Sequence, residues 1–204
     1  MKYLCSGWNR TGTTTMGSVF KKLGGKHVTF SEELFDCLIE GRVEHLLDVA
    51  SNADSADDFP FNILYPELKK ENKDLKVVHT YVRDPEVWIK RQKTLALRAP
   101  TKRLRICNLF LYGKASPFGN EKSFIDRYLS YNNEVLSFFE GDPNFIKVDL
   151  TDFEDKKRLS SWIEVELNHD IGGDDFTMEN VTKKPFSSYS LNHLQTIKHN
   201  VKSS

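Results

Sequence analysis

Residues 7–14 read Gly-Trp-Asn-Arg-Thr-Gly-Thr-Thr, which is the frame G-x-x-x-x-G-x-T. They stand directly after an apolar run (Tyr3, Leu4, Cys5) and directly before a segment with helical spacing. That order of strand, loop and helix points to α/β architectures with parallel strands. It also has a chemical meaning. Backbone N–H groups of a glycine-containing turn, together with the N-terminus of the next helix, form a cradle for an anion. The lysine that ATP- and GTP-binding loops place on their phosphates is absent, because Thr13 occupies its position. A cation is present at Arg10, three residues earlier and inside the loop. The loop is built for an anion, but not in the manner of an NTPase.

Periodicity extends the pattern. Met16, Val19, Phe20 and Leu23 predict a helix over residues 13–23, stopped by Gly24 and Gly25. A short strand follows at 27–30. Ser31 is placed to cap a helix running to about residue 39, with Glu32 and Glu33 in its first turn. Residues 43–49 predict another helix, 51–60 a polar, acidic loop, and 65–73 a short helix. Residues 75–82 are rich in β-branched side chains and read as a central strand buried on both faces. Pro85 opens a helix over 86–97. Residues 100–119 fit no element. An amphipathic helix at 122–139, a strand at 144–148 and a helix at 155–167 come next. A loop at 168–184 and a terminal helix at 191–201 complete the chain. Strands alternating with helices over 204 residues predict one α/β domain, residues 1–204, with a mainly parallel sheet. In such sheets ligands bind beyond the carboxyl ends of the strands. Two of those ends carry chemistry: the loop after Ser6, and Arg83 after Val82.

Charge narrows the partners. Lys and Arg number 29, as do Asp and Glu, so overall charge argues for neither a nucleic-acid nor a membrane partner. The distribution is uneven. Residues 32–58 hold nine acidic side chains and one basic one, whereas residues 90–114 hold eight basic and no acidic ones. The basic stretch is either an anion-attracting face or a solvated helix surface. The three cysteines show neither a disulfide framework nor metal-ligand spacing, and Cys5 reads as a small buried hydrophobe. No segment reads as a signal peptide or a membrane span, so a reducing, cytoplasmic location is expected.

The loop sequence Gly-Trp-Asn-Arg-Thr-Gly-Thr-Thr-Thr-Met (residues 7–16) resembles the 5′-phosphosulfate loop of sulfotransferases. It is most similar to members whose loop reads G-x-x-R-T-G-T. A second block, residues 76–88, resembles a strand of the same members that ends in R-D-P-x-x-W, here Arg83, Asp84, Pro85 and Trp88. A weaker third block is Tyr-Asn-Asn-Glu-Val (residues 131–135), ahead of the strand near residues 145–148. The resemblance implies a single three-layer domain like that of P-loop NTPases. It implies transfer of a sulfuryl group from 3′-phosphoadenosine 5′-phosphosulfate (PAPS) to a hydroxyl or amine, with no metal. That donor is anionic at both ends and needs two anion sites.

The resemblance also assigns roles. Arg10 would hold the phosphosulfate and stabilise charge on the bridging oxygen, as a fork of donors suits a multi-oxygen anion. Thr11, Gly12, Thr13, Thr14 and Thr15 would supply backbone and hydroxyl hydrogen bonds to the same group, while also serving as helix caps. Arg83 would bind the 3′-phosphate, against the alternative of a local salt-bridge network. Where members carry Ser eight residues later, this chain has Arg91, a charge that would take over that contact. Cytosolic members take their base from the histidine of a K-T-H-L-P segment. The matching residues here, Ala56, Asp57, Asp58, Phe59 and Pro60, put Asp58 in the histidine position and leave the lysine without a counterpart. Asp57 would raise the pKa of its neighbour. Some bacterial members use a Glu early in the helix after the second strand, so Glu33 and Glu32 compete with Asp58, or are plain helix-dipole acids. Trp8 either flanks the ligand or packs against the fold. Trp88 reads as helix packing, His79 as a core histidine, and Lys183 and Lys184 as solvated charges.

These readings predict a sulfotransferase that acts in line on a small-molecule or carbohydrate acceptor, as a monomer or homodimer. Two rivals stand beside it. One is a nucleotide or small-molecule kinase with an aberrant loop, against which the missing lysine counts. The other is a nucleotide-binding relative without turnover.

Overall fold

Alternation along short strands sorts this chain into three layers. Strands β1 (Tyr3–Cys5), β2 (His27–Val28), β3 (Ser55–Ala56), β4 (Lys76–Thr80) and β5 (Phe145–Val148) form one sheet in the order β2-β3-β1-β4-β5. Every pairing is parallel. Successive side chains of a strand point to opposite faces. Leu4 and Val77 therefore enter a cluster with Leu46, Phe61, Trp88 and Val135 on one side. Tyr3, Cys5 and Val78 enter a second cluster with Met16, Val19, Phe20 and Leu159 on the other. Helices α1 (Thr13–Lys22) and α8 (Phe153–Leu167) cover the second face. The first face is covered by α2 (Glu32–Ile39), α3 (Val43–Ser51), α4 (Tyr65–Glu71), α5 (Pro85–Arg98), α6 (Lys102–Tyr112) and α7 (Glu121–Phe138). The computed structural model describes residues 1–167. The loop expected at 168–184, the helix at 191–201, and Lys183 and Lys184 lie outside the described residues.

The three-layer α/β fold is as expected, with a sheet that is parallel throughout. The expected caps are also in place: the Ser31 hydroxyl accepts from Leu34 N at 3.1 Å, and Pro85 begins α5. Two stretches correct the sequence reading. Residues 51–60, read as a loop, contain β3. It has two residues, too few to show alternation, and it is recognisable only because it lies between β1 and β2. Residues 100–119, which matched no element, contain α6. Its apolar residues are scattered because only Asn108 and Tyr112 are buried. Its end signals were nonetheless present: Thr101 accepts from Leu104 N at 3.1 Å, and Gly113 closes the helix at φ 66°.

The order of strands sets the site. From β1 the chain runs outward to β2 on one side, and from β4 to β5 on the other. The carboxyl ends of the adjacent pair β1 and β4 are therefore the switch point at which this class of sheet opens a crevice. The loop leaving β1 is pressed against the end of β4. A Cβ at Gly7 would stand 1.8 Å from Thr80 Oγ1 and 2.8 Å from the Thr80 carbonyl oxygen. No rotamer change relieves a clash with backbone. We expect Gly7→Ala to destabilise the protein by about 3 kcal/mol. A urea unfolding midpoint within error of the wild type would contradict this account of the strand ends.

Candidate active site

The loop between β1 and α1 is fastened from behind. Five consecutive carbonyl groups accept hydrogen bonds from side chains. Tyr131 OH lies 2.7 Å from Ser6 O, and Asn62 Nδ2 donates to Gly7 O at 3.1 Å. Thr11 Oγ1 donates to Trp8 O at 2.5 Å. Trp88 Nε1 donates to Asn9 O at 3.0 Å, and Arg91 Nη1 to Arg10 O at 3.3 Å. Gln92 Nε2 and Tyr112 OH add bonds to Asn9 Oδ1 at 2.7 and 3.0 Å. With the carbonyl dipoles satisfied by the protein, an anion entering the loop does not face their negative ends. Arg10 and Gly12 adopt left-handed backbone, φ 67° and 107°. At Gly12 the left-handed backbone favours glycine, and a Cβ would also displace Leu150 Cδ1, 2.7 Å away.

Positive charge gathers at this loop. Arg10 Nε is buried and has no hydrogen-bond partner. Burial lowers the Arg10 pKa, and the like charges of Arg91 and Arg98 lower it further, with Asp58 opposing them. The N-terminus of α1 has no side-chain cap and no acidic residue in its first turn, so its dipole is unopposed. A buried guanidinium nitrogen without a partner is costly unless a ligand supplies one.

Arg10 and the α1 N-terminus open into a cavity of about 560 Å³. Gly12, Thr13, Thr14, Thr15, Arg91, Asp58 and Glu32 also line it. Asp58 lies two residues beyond β3 at φ 60°, with its Oδ1 accepting from Phe59 N at 2.9 Å. Burial, and then the charge of Asp57, push its pKa up to about 6, against the stabilising contacts of Phe59 N–H, Thr13 and Arg10. Asp57 is buried and faces His27, whose Nε2 is 3.3 Å from Asp57 Oδ1 and whose Nδ1 is 2.9 Å from Ser55 Oγ. Gly17 in α1 makes room for this pair, because a Cβ there would stand 2.4 Å from Asp57 Oδ2.

The structure separates the other candidates. Thr11 is buried and does not line the cavity; its hydroxyl fastens the loop and lies 2.7 Å from Thr80 Oγ1. Glu33 is exposed and away from the cavity lining, whereas Glu32 lines it and faces Arg103 at 3.7 Å. Arg91 reaches the loop directly. Arg83 does not line this cavity. Its Nη2 lies 3.0 Å from Asp152 and 3.3 Å from Asp155, and its Nε donates to Tyr81 OH at 3.2 Å. Trp8 packs inside the fold, 4.2 Å from the Tyr131 ring. Trp88 is stacked on Tyr128 at 4.2 Å. His79 is a core histidine between Ser6 Oγ and Asn132 Oδ1, held neutral by burial with a pKa of about 4. Among the described residues, no cluster of three or more His, Cys, Asp or Glu side chains is placed to hold a metal ion, and no helix is long and apolar enough to cross a membrane.

Sequence reasoning missed the fasteners Asn62, Gln92, Tyr112 and Tyr131. They are distant in the chain, and each reads locally as an ordinary polar or amphipathic helix residue. Tyr131 was marked only as the first residue of the weaker resemblance block at 131–135.

No curated protein matches the chain. The family profile described as "Sulfotransferase domain" matches residues 2–153, a span that contains the loop, both of its flanking strands, Asp58 and the fastening helices. On that match over most of its length, the chain belongs to the sulfotransferase domain family.

Proposed function

We propose that this protein transfers a sulfuryl group from PAPS to an acceptor hydroxyl, or to an amine, in line and without a metal. The observation that carries the reading is the buried, unpartnered Arg10 Nε beside an uncapped helix N-terminus, with Asp58 on the same cavity. Family membership supports sulfuryl transfer in general. The donor would supply an activated sulfuryl group on a phosphate leaving group. Arg10 and the α1 amides would hold the phosphosulfate and stabilise negative charge on the bridging oxygen as its bond to sulfur breaks. Asp58 would accept the acceptor's proton as the new oxygen–sulfur bond forms, and a pKa of about 6 keeps it ionised yet basic near neutrality. Arg91 would carry the nucleotide's 3′-phosphate, with Arg83 joining it by exchanging Asp152 and Asp155 for phosphate oxygens. The acceptor is a small molecule or carbohydrate, and the location cytoplasmic. The kinase reading lacks the loop lysine, replaced by Thr13.

Arg10→Asn tests the loop, since Asn tolerates the left-handed backbone. Its kcat/KM in a labelled-sulfate transfer assay is expected to fall by about 10²- to 10³-fold with no loss of thermal stability. Adenosine 3′,5′-bisphosphate (PAP) should raise the wild-type Tm, and ATP with magnesium should not. Wild-type activity in the variant, or the reverse ligand preference, would remove the proposal.

Asp58 gives a pH signature. The free enzyme's kcat/KM should fall about tenfold per unit as pH drops below about 6, where Asp58 takes up a proton. Stability moves in the opposite sense. Because the folded pKa lies above the ordinary value of 3.8, the folded state binds the extra proton, and ionising Asp58 costs stability as pH rises from about 4 to about 6. Asp58→Asn should therefore abolish turnover yet stabilise the fold above pH 6 by up to about 3 kcal/mol, with little gain near pH 4. A gain in Tm that does not depend on pH would show that Asp58 carries no such cost.

A further inference from the structure

The cavity is also lined by apolar side chains from four parts of the fold. Phe30 precedes α2, Phe59 follows β3, Leu95 is on α5, and Leu104, Cys107 and Leu111 are on α6. The Cys107 thiol is held neutral, with burial raising its pKa to about 11. The cation on this wall is Arg103, and its charge is already engaged. Its guanidinium grips Asp36 with both Nη atoms, Nη2 lying 3.1 Å from Oδ2. Nη2 also faces Glu32 Oε2 at 3.7 Å, and the group lies over the Phe35 ring at 5.7 Å. Two carboxylates of α2 thus balance one guanidinium of α6. The remaining lining cations, Arg10 and Arg91, are in the loop or bonded to it.

Resting on the sulfuryl-transfer reading, we infer that the acceptor is an uncharged, mainly apolar alcohol or phenol, and that Asp36 and Glu32 set this preference by silencing Arg103. A sugar would place several hydroxyls against Phe30, Phe59, Leu95, Leu104 and Leu111, where each unpaired group costs about tenfold or more in affinity. An anionic acceptor would find the one cation on that wall taken by a bidentate partner, with Glu32 adding like-charge repulsion. A flat or chain-like body with one hydroxyl meets neither cost. It packs along the apolar wall and directs its oxygen toward Asp58.

The test compares methyl 4-hydroxybenzoate, the 4-hydroxybenzoate anion and glucose as acceptors for the full chain with saturating PAPS, with PAP-induced Tm shifts measured in parallel. The neutral ester is expected to exceed both others in kcat/KM by about a hundredfold. Glu32→Gln combined with Asp36→Asn removes both carboxylate charges without touching the loop. It should narrow the gap between ester and anion at least about tenfold and leave the PAP shift unchanged. Arg103→Met should keep the ester as the preferred acceptor, because it retains the wall without the charge. Preference for glucose or the anion by the wild type, or PAP binding without turnover of the ester, would overturn the acceptor class. An unchanged gap in the double variant would overturn the role given to Asp36 and Glu32. Absence of any PAP shift in the wild type would instead remove the sulfuryl-transfer reading on which the inference rests.

Discussion

Everything at this site depends on how the backbone of the β1–α1 loop is held. Its carbonyl groups from Ser6 to Arg10 are each hydrogen-bonded to a side chain, and its first glycine sits against Thr80 with no room for a methyl group. A loop so fastened does not need to reorganise when charge develops near it, and that preorganisation is the main way a protein lowers a charged barrier. Apart from Thr11, which is in the loop itself, the fastening residues come from one face of the sheet. The apolar cluster that buries Trp88, Tyr128 and Tyr131 therefore also sets the geometry of the β1–α1 loop.

Around that frame the charges are arranged at a cost to the fold. The like charges of Arg91 and Arg98 act on Arg10, and Asp58 is held half-buried beside Asp57. Each arrangement lowers stability in the ligand-free protein and favours an incoming anion or an outgoing proton. His27 and Gly17 limit the damage: the imidazole pairs with Asp57 at 3.3 Å, and the missing side chain in α1 leaves space for that carboxylate. Buried atoms without a hydrogen-bond partner, Arg10 Nε, His27 Nε2, Asp57 Oδ1 and Asn62 Oδ1, lie on the loop and on residues near it, and perturbed groups gathered at a cleft are the pattern expected of a binding or catalytic centre.

Much of this was legible from the chain. Gly7, Arg10 and Gly12 marked out the loop because their spacing is local, and at Gly12 the left-handed backbone leaves its mark as glycine. Ser31 and Pro85 marked helix starts for equally local reasons. By contrast, β3 was hidden because a two-residue strand has no period, and α6 because a helix with a loosely packed face scatters its apolar residues. Arg83 and Arg91 look alike in sequence, yet one stands with Asp152 and Asp155 while the other bonds the loop.

The sequence by itself determined most of the elements, the parallel α/β class and the glycine-bracketed loop that follows β1. These follow from residue spacing along the backbone and from steric limits on individual dihedrals, both of which are local. Tertiary structure decided which donors lock the loop, which arginines and which acids line the cavity, and that Arg103 is paired with Asp36 and Glu32. Those outcomes depend on distances between residues far apart in the chain, and they are settled only when the two apolar faces of the sheet are buried together.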